Sequence, residues 1–405
     1  MVDFKRLEDI DVAGKRVLVR VDFNVPCDDE GNVTDGTRLV AALPTINFLR
    51  KHKAKIILIS HFGRPGGKRE TRASMMKLIK PLTSLLGTDV AFAPDCIGKT
   101  ADAAVAALRD GDVLLLENTR FHKGETHKAD GTKGYDPKFA AALAAHGDIF
   151  VHDAFSVAHR AQGSTSGIAA SLPAYAGLAM ERELDHLTQA LDIPRRPVMG
   201  LVGGAKVSSK IDLLKNLVSR LDRLAIGGGM ANTFLAALGH SVGASLCEHD
   251  LTDTALEIMR NAERENCEIL LPVDVVAAKE FKAGAKHRVC GLDAVADDEM
   301  ILDAGPATVD KLADAIDASK TLIWNGPLGA FELTPFDTAT VEAAKYAARR
   351  AQNNGLIAVA GGGDTVAALK HAGVADDFTF ISTAGGAFLE WMEGKALPGV
   401  EILKK

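Results

Sequence analysis

Charged side chains and hydrogen-bond donors follow the apolar runs in the first half of the sequence, and arginine is prominent among them. The guanidinium group binds phosphate or carboxylate through two parallel hydrogen bonds, so it suits a substrate with several anionic groups. The candidates are Asp22, Asn24, Arg38, His61, Arg64, Arg120, His159 and Arg160. Any one of these arginines could be a solvated loop charge. Four of them near predicted strand ends favour a binding site for a small polyanion.

Glycine-rich segments follow the apolar runs in the second half instead. They read "GLVGGAKVSSK", "IGGGMANTF", "WNGPLGAFE", "AGGGDTVAALK" and "STAGGAFLE". Glycine lets backbone N–H groups approach a phosphate closely, and helix N-termini add unsatisfied donors and a favourable dipole. One such segment could be an ordinary strand-to-helix turn, whereas five of them indicate a nucleotide site.

Two lysines and one aspartate in these glycine-rich segments are candidates for contact with a nucleotide. Lys206 and Lys210 would be one helical turn apart if a helix opened at Ser208, and both ammonium groups would then lie near one loop. Asp364 could contact the Mg²⁺ of a metal–nucleotide complex, because Mg²⁺ is held by one or two carboxylates together with phosphates. Asp364 could also cap the helix that follows it, and both roles could hold.

Parallel sheets would bring these residues together. Apolar runs alternate with helical stretches along the whole chain, which indicates parallel strands covered on both faces. The predicted strands span residues 16–21, 55–60, 112–117, 148–153, 197–202, 223–228, 268–275, 320–325, 356–361 and 378–383. We expect an α/β protein with two Rossmann-like, doubly wound parallel-sheet domains joined by a hinge helix, with ligands at the carboxyl ends of the strands.

The stretch "GLAMERELDHLTQALDIPRRP" predicts the connecting helix. Leu184, Leu187 and Leu191 share one face of it, and the Ile193–Pro194 step ends it. The domain boundaries follow from this helix and from typical domain length. We expect an N-terminal domain over 1–180, the connecting helix over 181–194, a C-terminal domain over 195–390 and a C-terminal tail over 391–405.

Composition argues against several classes of protein. A formal net charge of −6 over 405 residues provides no basic field for a nucleic-acid partner. We expect neither a signal peptide nor a membrane span, because no run of about 18 apolar residues appears. The sequence lacks G-x-x-x-x-G-K-[ST] and a G-x-G-x-x-G at a strand–helix junction, so neither a Walker-type NTPase nor a dinucleotide dehydrogenase is expected.

The cysteines and most histidines suggest no site by their spacing. Scattered cysteines without zinc-ligand spacing indicate a reducing, cytoplasmic compartment. They are Cys27, Cys96, Cys247, Cys267 and Cys290. We interpret six histidines as surface or packing residues, namely His52, His122, His127, His146, His152 and His186.

Nine segments together resemble the phosphoglycerate kinase family. They are "VRVDFNVP", "SHFGRP", "LLLENTRFHKGE", "AHRA", "GGAKVSSK", "IGGGMANTFL", "LPVDVV", "WNGPLGAFE" and "GGGDT", in collinear order from residue 16 onward. The resemblance implies that 3-phosphoglycerate binds to the N-terminal domain and Mg-ADP or Mg-ATP to the C-terminal domain. It also implies reversible phosphoryl transfer between 1,3-bisphosphoglycerate and ADP, and a monomer whose C-terminal tail returns to the N-terminal domain.

The resemblance also implies residue roles. The triose-phosphate contacts would be Asp22, Phe23, Asn24, Arg38, His61, Phe62, Gly63, Arg64, Arg120 and Arg160. The nucleotide contacts would be Lys210, Gly291, Glu332, Gly361, Gly362, Gly363, Asp364 and Thr365, with Asp364 nearest the metal. Arg38 and Lys206, with backbone donors at Gly385 and Gly386, would stabilise the transferring phosphoryl group. Departures from the family pattern include Ser156, Gln162, Ser209, Ala384 and Phe388.

No general base is expected, because the acceptor carboxylate is ionised at neutral pH. Catalysis would consist of positioning and charge neutralisation. Arg38 of one domain and Lys206 of the other would meet on the transferring group when the domains close, and closure would exclude water. The alternative is a non-catalytic, two-domain binder of a phosphorylated metabolite.

Overall fold

The computed structural model describes residues 3–405 as two compact units, each built around a parallel β-sheet. One unit comprises residues 3–185 together with 396–405, and the other comprises residues 186–395. Across the described range, no helix combines the length and the apolar character that a membrane crossing requires.

The N-terminal unit alternates strands with helices. Its strands are β1 (Arg16–Arg20), β2 (Lys55–Ile59), β3 (Val90–Ala93), β4 (Val113–Leu116), β5 (Ile149–His152) and β6 (Ala174–Ala176). Its helices are α1 (Thr37–Lys51), α2 (Ile79–Leu86), α3 (Lys99–Ala106), α4 (Pro137–Ala144) and α5 (Leu178–Leu187), the last crossing the boundary between the units. Short 3₁₀ turns at Thr119–Phe121 and Lys123–Glu125 follow β4.

The N-terminal sheet is parallel throughout, in the order β3-β4-β2-β1-β5-β6. Its central strands are almost wholly apolar because helices cover both faces, and Val17, Leu18 and Val19 have no exposed surface. The chain reverses its direction across the sheet between β1 and β5. Such a switch point leaves a crevice at the carboxyl ends of the two strands, where α/β proteins bind ligands.

The C-terminal unit repeats this plan and adds a small second sheet. Its strands are β7 (Val198–Val202), β8 (Arg223–Ile226), β9 (Glu268–Leu270), β10 (Asp274–Ala278), β11 (His287–Gly291), β12 (Met300–Ala304), β13 (Thr321–Asn325), β14 (Ile357–Gly361) and β15 (Phe380–Ser382). Its helices are α6 (Ile211–Val218), α7 (Gly229–Ala237), α8 (Thr252–Arg264), α9 (Pro306–Asp317), α10 (Thr338–Asn354), α11 (Gly363–His371) and α12 (Gly386–Met392).

The main sheet of this unit is also parallel, in the order β15-β14-β13-β7-β8-β9, with its switch point between β7 and β13. The predicted fold class, α/β with two Rossmann-like parallel sheets, is therefore confirmed. The three-stranded sheet β11-β10-β12 was not predicted and is antiparallel.

One predicted strand is divided in the structure. The apolar run over 268–275 predicts a single strand, but β9 ends at Leu270 and β10 begins at Asp274 in a different sheet. Pro272 lies between them and has no N–H to donate to a strand ladder, so the parallel pairing stops there. Strands β3 (four residues) and β6 (three residues) were not predicted.

The segment around the unit boundary is helical, as predicted. Helix α5 is followed by a π-helical turn at Thr188–Asp192, and Leu184, Leu187 and Leu191 are all buried. The last ten residues pack within the N-terminal unit and include a short helix, α13 (Pro398–Glu401). There the N–H of Lys5 donates to the carbonyl of Leu403 at 2.8 Å.

At the switch point of the C-terminal unit, the loops after β7 and β13 contact each other backbone to backbone. A Cβ atom at Gly203 would lie 1.8 Å from the carbonyl oxygen of Pro327, and Gly326 has a left-handed φ of +106°. These two glycines are therefore required by packing between protein loops. At Gly363, by contrast, a Cβ atom would have no neighbour within 4 Å.

Substitution by alanine should affect the free energy of unfolding differently at Gly203 and Gly363. Gly203→Ala should lower the free energy of unfolding by at least about 2 kcal/mol, because overpacking costs about 1–3 kcal/mol and the obstructing atom belongs to the backbone. Gly363→Ala, the matched control, should change it by less than about 0.5 kcal/mol. Urea denaturation of both variants checks this, and equal midpoints would contradict the packing argument.

Candidate functional site

Polar side chains of the N-terminal unit converge at the carboxyl ends of its strands. Asp22 and Asn24 follow β1, His61 follows β2, Arg120 follows β4, and Arg160 follows β5. Arg38 lies in the first turn of α1. The structure thus brings the predicted anion-binding residues to one edge of the sheet. Arg64 is exposed and Arg160 is half-buried, so both remain accessible to a ligand.

Asp22 organises the switch point between β1 and β5. One of its carboxylate oxygens accepts a hydrogen bond from the Ser156 hydroxyl at 2.6 Å and lies 2.9 Å from a guanidinium nitrogen of Arg38. That same nitrogen donates to the backbone carbonyl of Asn24 at 2.9 Å. Ser156 was noticed in the sequence as a departure from the family pattern, and the structure assigns it this contact.

The loops after β1, β2 and β4 are joined by hydrogen bonds. The Asn24 side-chain oxygen accepts from the N–H of Gly63 at 2.8 Å, and Arg120 donates to the carbonyl of Gly63 at 2.7 Å. Phe23 and Phe62 are positioned through their backbone N–H groups, which donate to the Ser60 hydroxyl at 3.0 Å and to the side-chain oxygen of Asn118 at 3.2 Å. These hydrogen bonds within the protein therefore fix the three loops relative to one another.

Arg20 is a residue that the sequence analysis missed. It ends β1, has no exposed surface, and donates from Nε to the Ser164 hydroxyl at 3.0 Å. Ser164 in turn donates to Glu125, from its hydroxyl at 2.5 Å and from its N–H at 2.8 Å. An arginine within the apolar run "RVLVRV" was the available signal, because a buried charge requires a partner.

Arg20 also determines the state of His61. A guanidinium nitrogen of Arg20 lies 2.9 Å from Nδ1 of His61, and arginine can only donate, so Nδ1 must accept. Burial, then the charges of Arg20 and Arg120, hold the pKa of His61 well below its usual value. His61 is therefore a neutral imidazole with its proton on Nε2, which makes it a hydrogen-bond donor.

The cluster carries an excess of positive charge. Burial lowers the pKa of Arg120 to about 10, and the neighbouring charges of Arg20 and Arg160 contribute to this lowering while Glu125 opposes it. A guanidinium whose pKa is lowered by other guanidinium groups is stabilised when an anion arrives. The arrangement can therefore bind a small molecule with phosphate or carboxylate groups.

The state of His61 predicts its behaviour on titration. Because the folded protein favours the neutral ring, His61 should remain neutral with Nδ1 unprotonated at pH values where an exposed histidine, of pKa about 6.5, is already charged. Long-range ¹⁵N–¹H NMR spectra between pH 5 and pH 8, assigned with His61→Gln, check this. Protonation of His61 near pH 6.5, or a proton on Nδ1 at pH 7, would contradict it.

In the C-terminal unit, Lys210 lies at the switch point between β7 and β13. Its ammonium group donates to the carbonyl of Gly203 at 2.6 Å and to the side-chain oxygen of Asn325 at 2.6 Å. Burial lowers its pKa to about 8, while Asp364 acts in the opposite direction. Lys210 is thus a partly desolvated cation held by neutral oxygens, which suits it to a phosphate.

The predicted spacing of Lys206 and Lys210 on one helix is wrong. Val207–Ser209 forms a 3₁₀ turn, and α6 begins only at Ile211, so the two lysines flank the turn. The Ser209 hydroxyl donates to the carbonyl of Lys206 at 2.8 Å, in keeping with a local turn that competes with the helix. Lys206 is exposed.

A cavity of about 330 Å³ opens next to the glycine-rich loops of this unit. Most of its lining is apolar and includes Leu246, Phe281 and Leu302, whereas Glu332 and Asp364 supply carboxylates. An apolar pocket with few polar groups beside glycine-rich helix N-termini fits a nucleotide. Gly291, a predicted nucleotide contact, ends β11 and is not part of this lining.

The three glycines after β14 have separate functions in the structure. Gly361 packs against Phe388, since a Cβ atom there would lie 2.5 Å from its ring. Gly362 has a φ of +98° and occupies the N-cap position of α11, while Gly363 lies in open space. Asp364 therefore does not occupy the N-cap. Thr365 is buried, and its hydroxyl accepts from the N–H of Gly326 at 2.7 Å.

Asp364 is exposed at the cavity and lies close enough to Lys210 to affect its pKa. A carboxylate in the first turn of a helix, beside open backbone N–H groups, fits the coordination that Mg²⁺ takes with phosphates. The left-handed turn before α12 falls on Gly385, with a φ of +48°, and Ala384 is not among the residues with positive φ. The substitution at Ala384 therefore leaves that turn intact, and Gly386 begins α12.

The lowered pKa of Lys210 predicts proton uptake when a nucleotide binds. Near pH 8 about half of this amine is neutral, and phosphate favours its charged form, so binding of ADP should take up to about half a proton. Affinity should then fall as the pH rises above 8. Calorimetry in buffers of different ionisation enthalpy measures the uptake. Lys210→Arg, which keeps the charge at every pH, should lose it, and unchanged uptake in this variant would contradict the assignment.

Comparison with known proteins agrees with this architecture. The family model described as phosphoglycerate kinase matches residues 7–395. A phosphoglycerate kinase of Methylobacterium radiotolerans is 60% identical over 405 residues, covering 100% of this chain and 99% of the relative. That of Caulobacter vibrioides is 60% identical over 401 residues, covering 99% of each chain. A solved structure of phosphoglycerate kinase from Coxiella burnetii superposes with a TM-score of 0.91 at 40% identity, covering 99% of both chains.

The fold and the site residues define an α/β phosphotransferase, with an anion-binding cluster on one Rossmann-like unit and a nucleotide-type cavity on the other. The family match covers nearly the whole chain and the relatives share well over half of their residues with it. The chain belongs to the phosphoglycerate kinase family, and the resemblance seen in the sequence is confirmed.

Proposed function

We propose that this chain catalyses reversible, Mg²⁺-dependent phosphoryl transfer between 1,3-bisphosphoglycerate and ADP, yielding 3-phosphoglycerate and ATP. The observation that carries the proposal is the convergence of Arg38, Arg120 and Arg160 at the carboxyl ends of the N-terminal strands, in a chain whose family match covers residues 7–395. A substrate with both a phosphate and a carboxylate would supply the missing negative charge. The names of the relatives agree with this substrate.

In the N-terminal unit, the triose phosphate would be held by Arg38, Arg64, Arg120 and Arg160. His61 would donate from Nε2, and its neutral state means that it binds the anion without moving a proton. Asp22 and Asn24 would orient Arg38, which both already contact. Because the acceptor carboxylate is ionised at neutral pH, no residue needs to act as a general base.

In the C-terminal unit, the nucleotide phosphates would lie on the open backbone at Gly362 and Gly363 with Lys210. Asp364 would hold Mg²⁺, which supplies charge neutralisation to the phosphates when it is bound. Glu332 is placed at the cavity wall, where it can meet the rest of the nucleotide. Gly291 remains a weaker proposal because it lies outside that wall.

For the transfer itself, we propose that Arg38, Lys206 and the backbone donors at Gly385 and Gly386 neutralise the phosphoryl group as it moves. Charge neutralisation and positioning are the main sources of catalysis in phosphoryl transfer. Lys206 suits this role because it is exposed, unlike Lys210, whose ammonium group is already bound by carbonyl oxygens.

The direct test is a coupled assay for ATP formation from 1,3-bisphosphoglycerate and ADP, with and without Mg²⁺. Arg38→Ala should lower kcat by at least about a hundredfold while KM changes far less, as expected for a contact made mainly in the transition state. Lys53→Ala, a surface lysine of the same unit, serves as the matched control. If the unaltered chain shows no turnover, the proposal is rejected and the non-catalytic binding protein is the remaining candidate.

The Asp364→Asn variant tests whether the nucleotide and 3-phosphoglycerate bind to different units. Loss of the carboxylate charge should weaken Mg-ADP binding by about tenfold or more and leave 3-phosphoglycerate affinity unchanged, because the two groups of residues belong to different units. Calorimetry with each ligand separately checks this. An equal loss of 3-phosphoglycerate affinity would show that the assignment of ligands to units is wrong.

We also propose a monomer in a reducing, cytoplasmic compartment. The cysteines support the compartment, since all five are free thiols in the structure. The monomer rests on the family resemblance. Size-exclusion chromatography with light scattering measures the mass directly, and a value twice that of the chain would reject the monomer.

A further inference from the structure

Three potential metal ligands meet in the N-terminal unit, outside the anion-binding cluster. Asp95 and Cys96 lie in the loop after β3, and His122 lies in the loop after β4, the neighbouring strand. A carboxylate oxygen, the sulfur and a ring nitrogen of these residues all lie within 4.8 Å of one another. We propose that Asp95, Cys96 and His122 bind one Zn²⁺ ion.

The ligand set is the first argument. Thiolate, imidazole and carboxylate are the groups that bind Zn²⁺, at about 2.0–2.3 Å, so ligand atoms of a tetrahedral site lie about 3.3–3.8 Å apart. The present ligand atoms all lie within 4.8 Å of one another, and Asp95 Oδ1 is 2.7 Å from His122 Nε2, so small shifts would bring them to these separations. A water molecule would complete the tetrahedron. Hard Mg²⁺ avoids thiolate ligands, so this site is distinct from Asp364.

The surrounding contacts are the second argument. The outer oxygen of Asp95 lies 2.8 Å from a guanidinium nitrogen of Arg69, and the inner oxygen accepts from the N–H of Cys96 at 2.8 Å and from Nε2 of His122 at 2.7 Å. The ring of His122 stacks on Phe139 with centroids 5.4 Å apart, and His146 lies 3.2 Å from the carbonyl oxygen of Cys96. The Arg69 contact orients the carboxylate as outer hydrogen bonds do in metal sites, and the other two contacts restrain the His122 ring and the Cys96 backbone.

Two of the ligands must change their protonation before they can coordinate the ion. Cys96 is fully buried. On binding, the thiol proton leaves to solvent and the ring proton of His122 moves from Nε2 to Nδ1, so that each ligand presents a lone pair.

The position of this cluster gives the ion a structural consequence. His122 follows Arg120 by two residues, and the 3₁₀ turn at Thr119–Phe121 joins them. An ion bound to Asp95, Cys96 and His122 would tie the loops after β3 and β4 together beside the anion-binding arginines. Zn²⁺ should therefore raise the thermal midpoint of the N-terminal unit by selective binding to the folded state.

The experiment uses the full chain without a histidine tag, in metal-free buffer without phosphate. Titration with Co²⁺ should produce a thiolate-to-cobalt charge-transfer band in the near ultraviolet, saturating at one equivalent per chain, and Zn²⁺ should displace it while Mg²⁺ does not. Cys96→Ser and His122→Gln should abolish the band and weaken Zn²⁺ binding at least about tenfold, since even outer contacts are worth that much.

Cys27→Ser is the matched control, because Cys27 is a half-buried thiol of the same unit outside the cluster. It should keep the band and the affinity of the unaltered chain. Absence of the band in the unaltered chain, or its survival in Cys96→Ser, would overturn the proposal. If Cys96→Ser fails to fold, the His122→Gln variant tests the proposal instead, and survival of the band in that variant would overturn it. Glutamine can keep the hydrogen bond to Asp95 but is a poor zinc ligand.

Discussion

The hydrogen-bonded chain from Glu125 through Ser164 to Arg20 and on to His61 is the interaction on which the N-terminal site depends. Arg20 has no exposed surface, and a buried guanidinium is tolerated only when partners replace its hydration. Ser164, the backbone carbonyl of Val21 and Nδ1 of His61 accept its hydrogen bonds, and Glu125, bound to Ser164, supplies an opposite charge nearby. These partners stabilise the buried guanidinium, one nitrogen of which lies 2.9 Å from Nδ1 of His61.

This one buried cation has consequences for the rest of the site. The charge of Arg20 contributes to lowering the pKa of both His61 and Arg120. It therefore favours the neutral form of the histidine, and it repels the positive charge of Arg120. Asp22 is already engaged by Arg38 and Ser156. An incoming anion is therefore the natural counter-charge, which is why a fixed and highly charged cluster can be stable and still bind its ligand.

In the C-terminal unit, backbone contacts between loops position the site. Gly203 and Gly326 allow two loops to touch, and this contact places the carbonyl oxygens that hold Lys210. Gly363 lies in open space and leaves its backbone free for a ligand. The glycine-rich segments therefore include glycines that tight packing requires and a glycine that packing does not require, at different positions.

Sequence reasoning succeeded where one strand or one turn carries the signal. The apolar runs located most strands, and the carboxyl-end rule located Asp22, His61 and Arg120, because parallel strands must end at one edge. It failed where distant residues meet. Arg20 and Ser164 are 144 positions apart, and Cys96 and His122 come together only through the pairing of β3 with β4. The prediction of a helix from Ser208 was also wrong, because Val207–Ser209 forms a 3₁₀ turn and α6 begins only at Ile211.

An experimental structure of the protein with 3-phosphoglycerate bound would show directly how the N-terminal site works. The ligand should lie at the carboxyl ends of β1, β2, β4 and β5, with its anionic groups within hydrogen-bond distance of Arg120 and Arg160. Nε2 of His61 should face the ligand, and Nδ1 should face Arg20. A ligand bound at the cavity of the C-terminal unit, or a His61 ring turned away from Arg20, would contradict it.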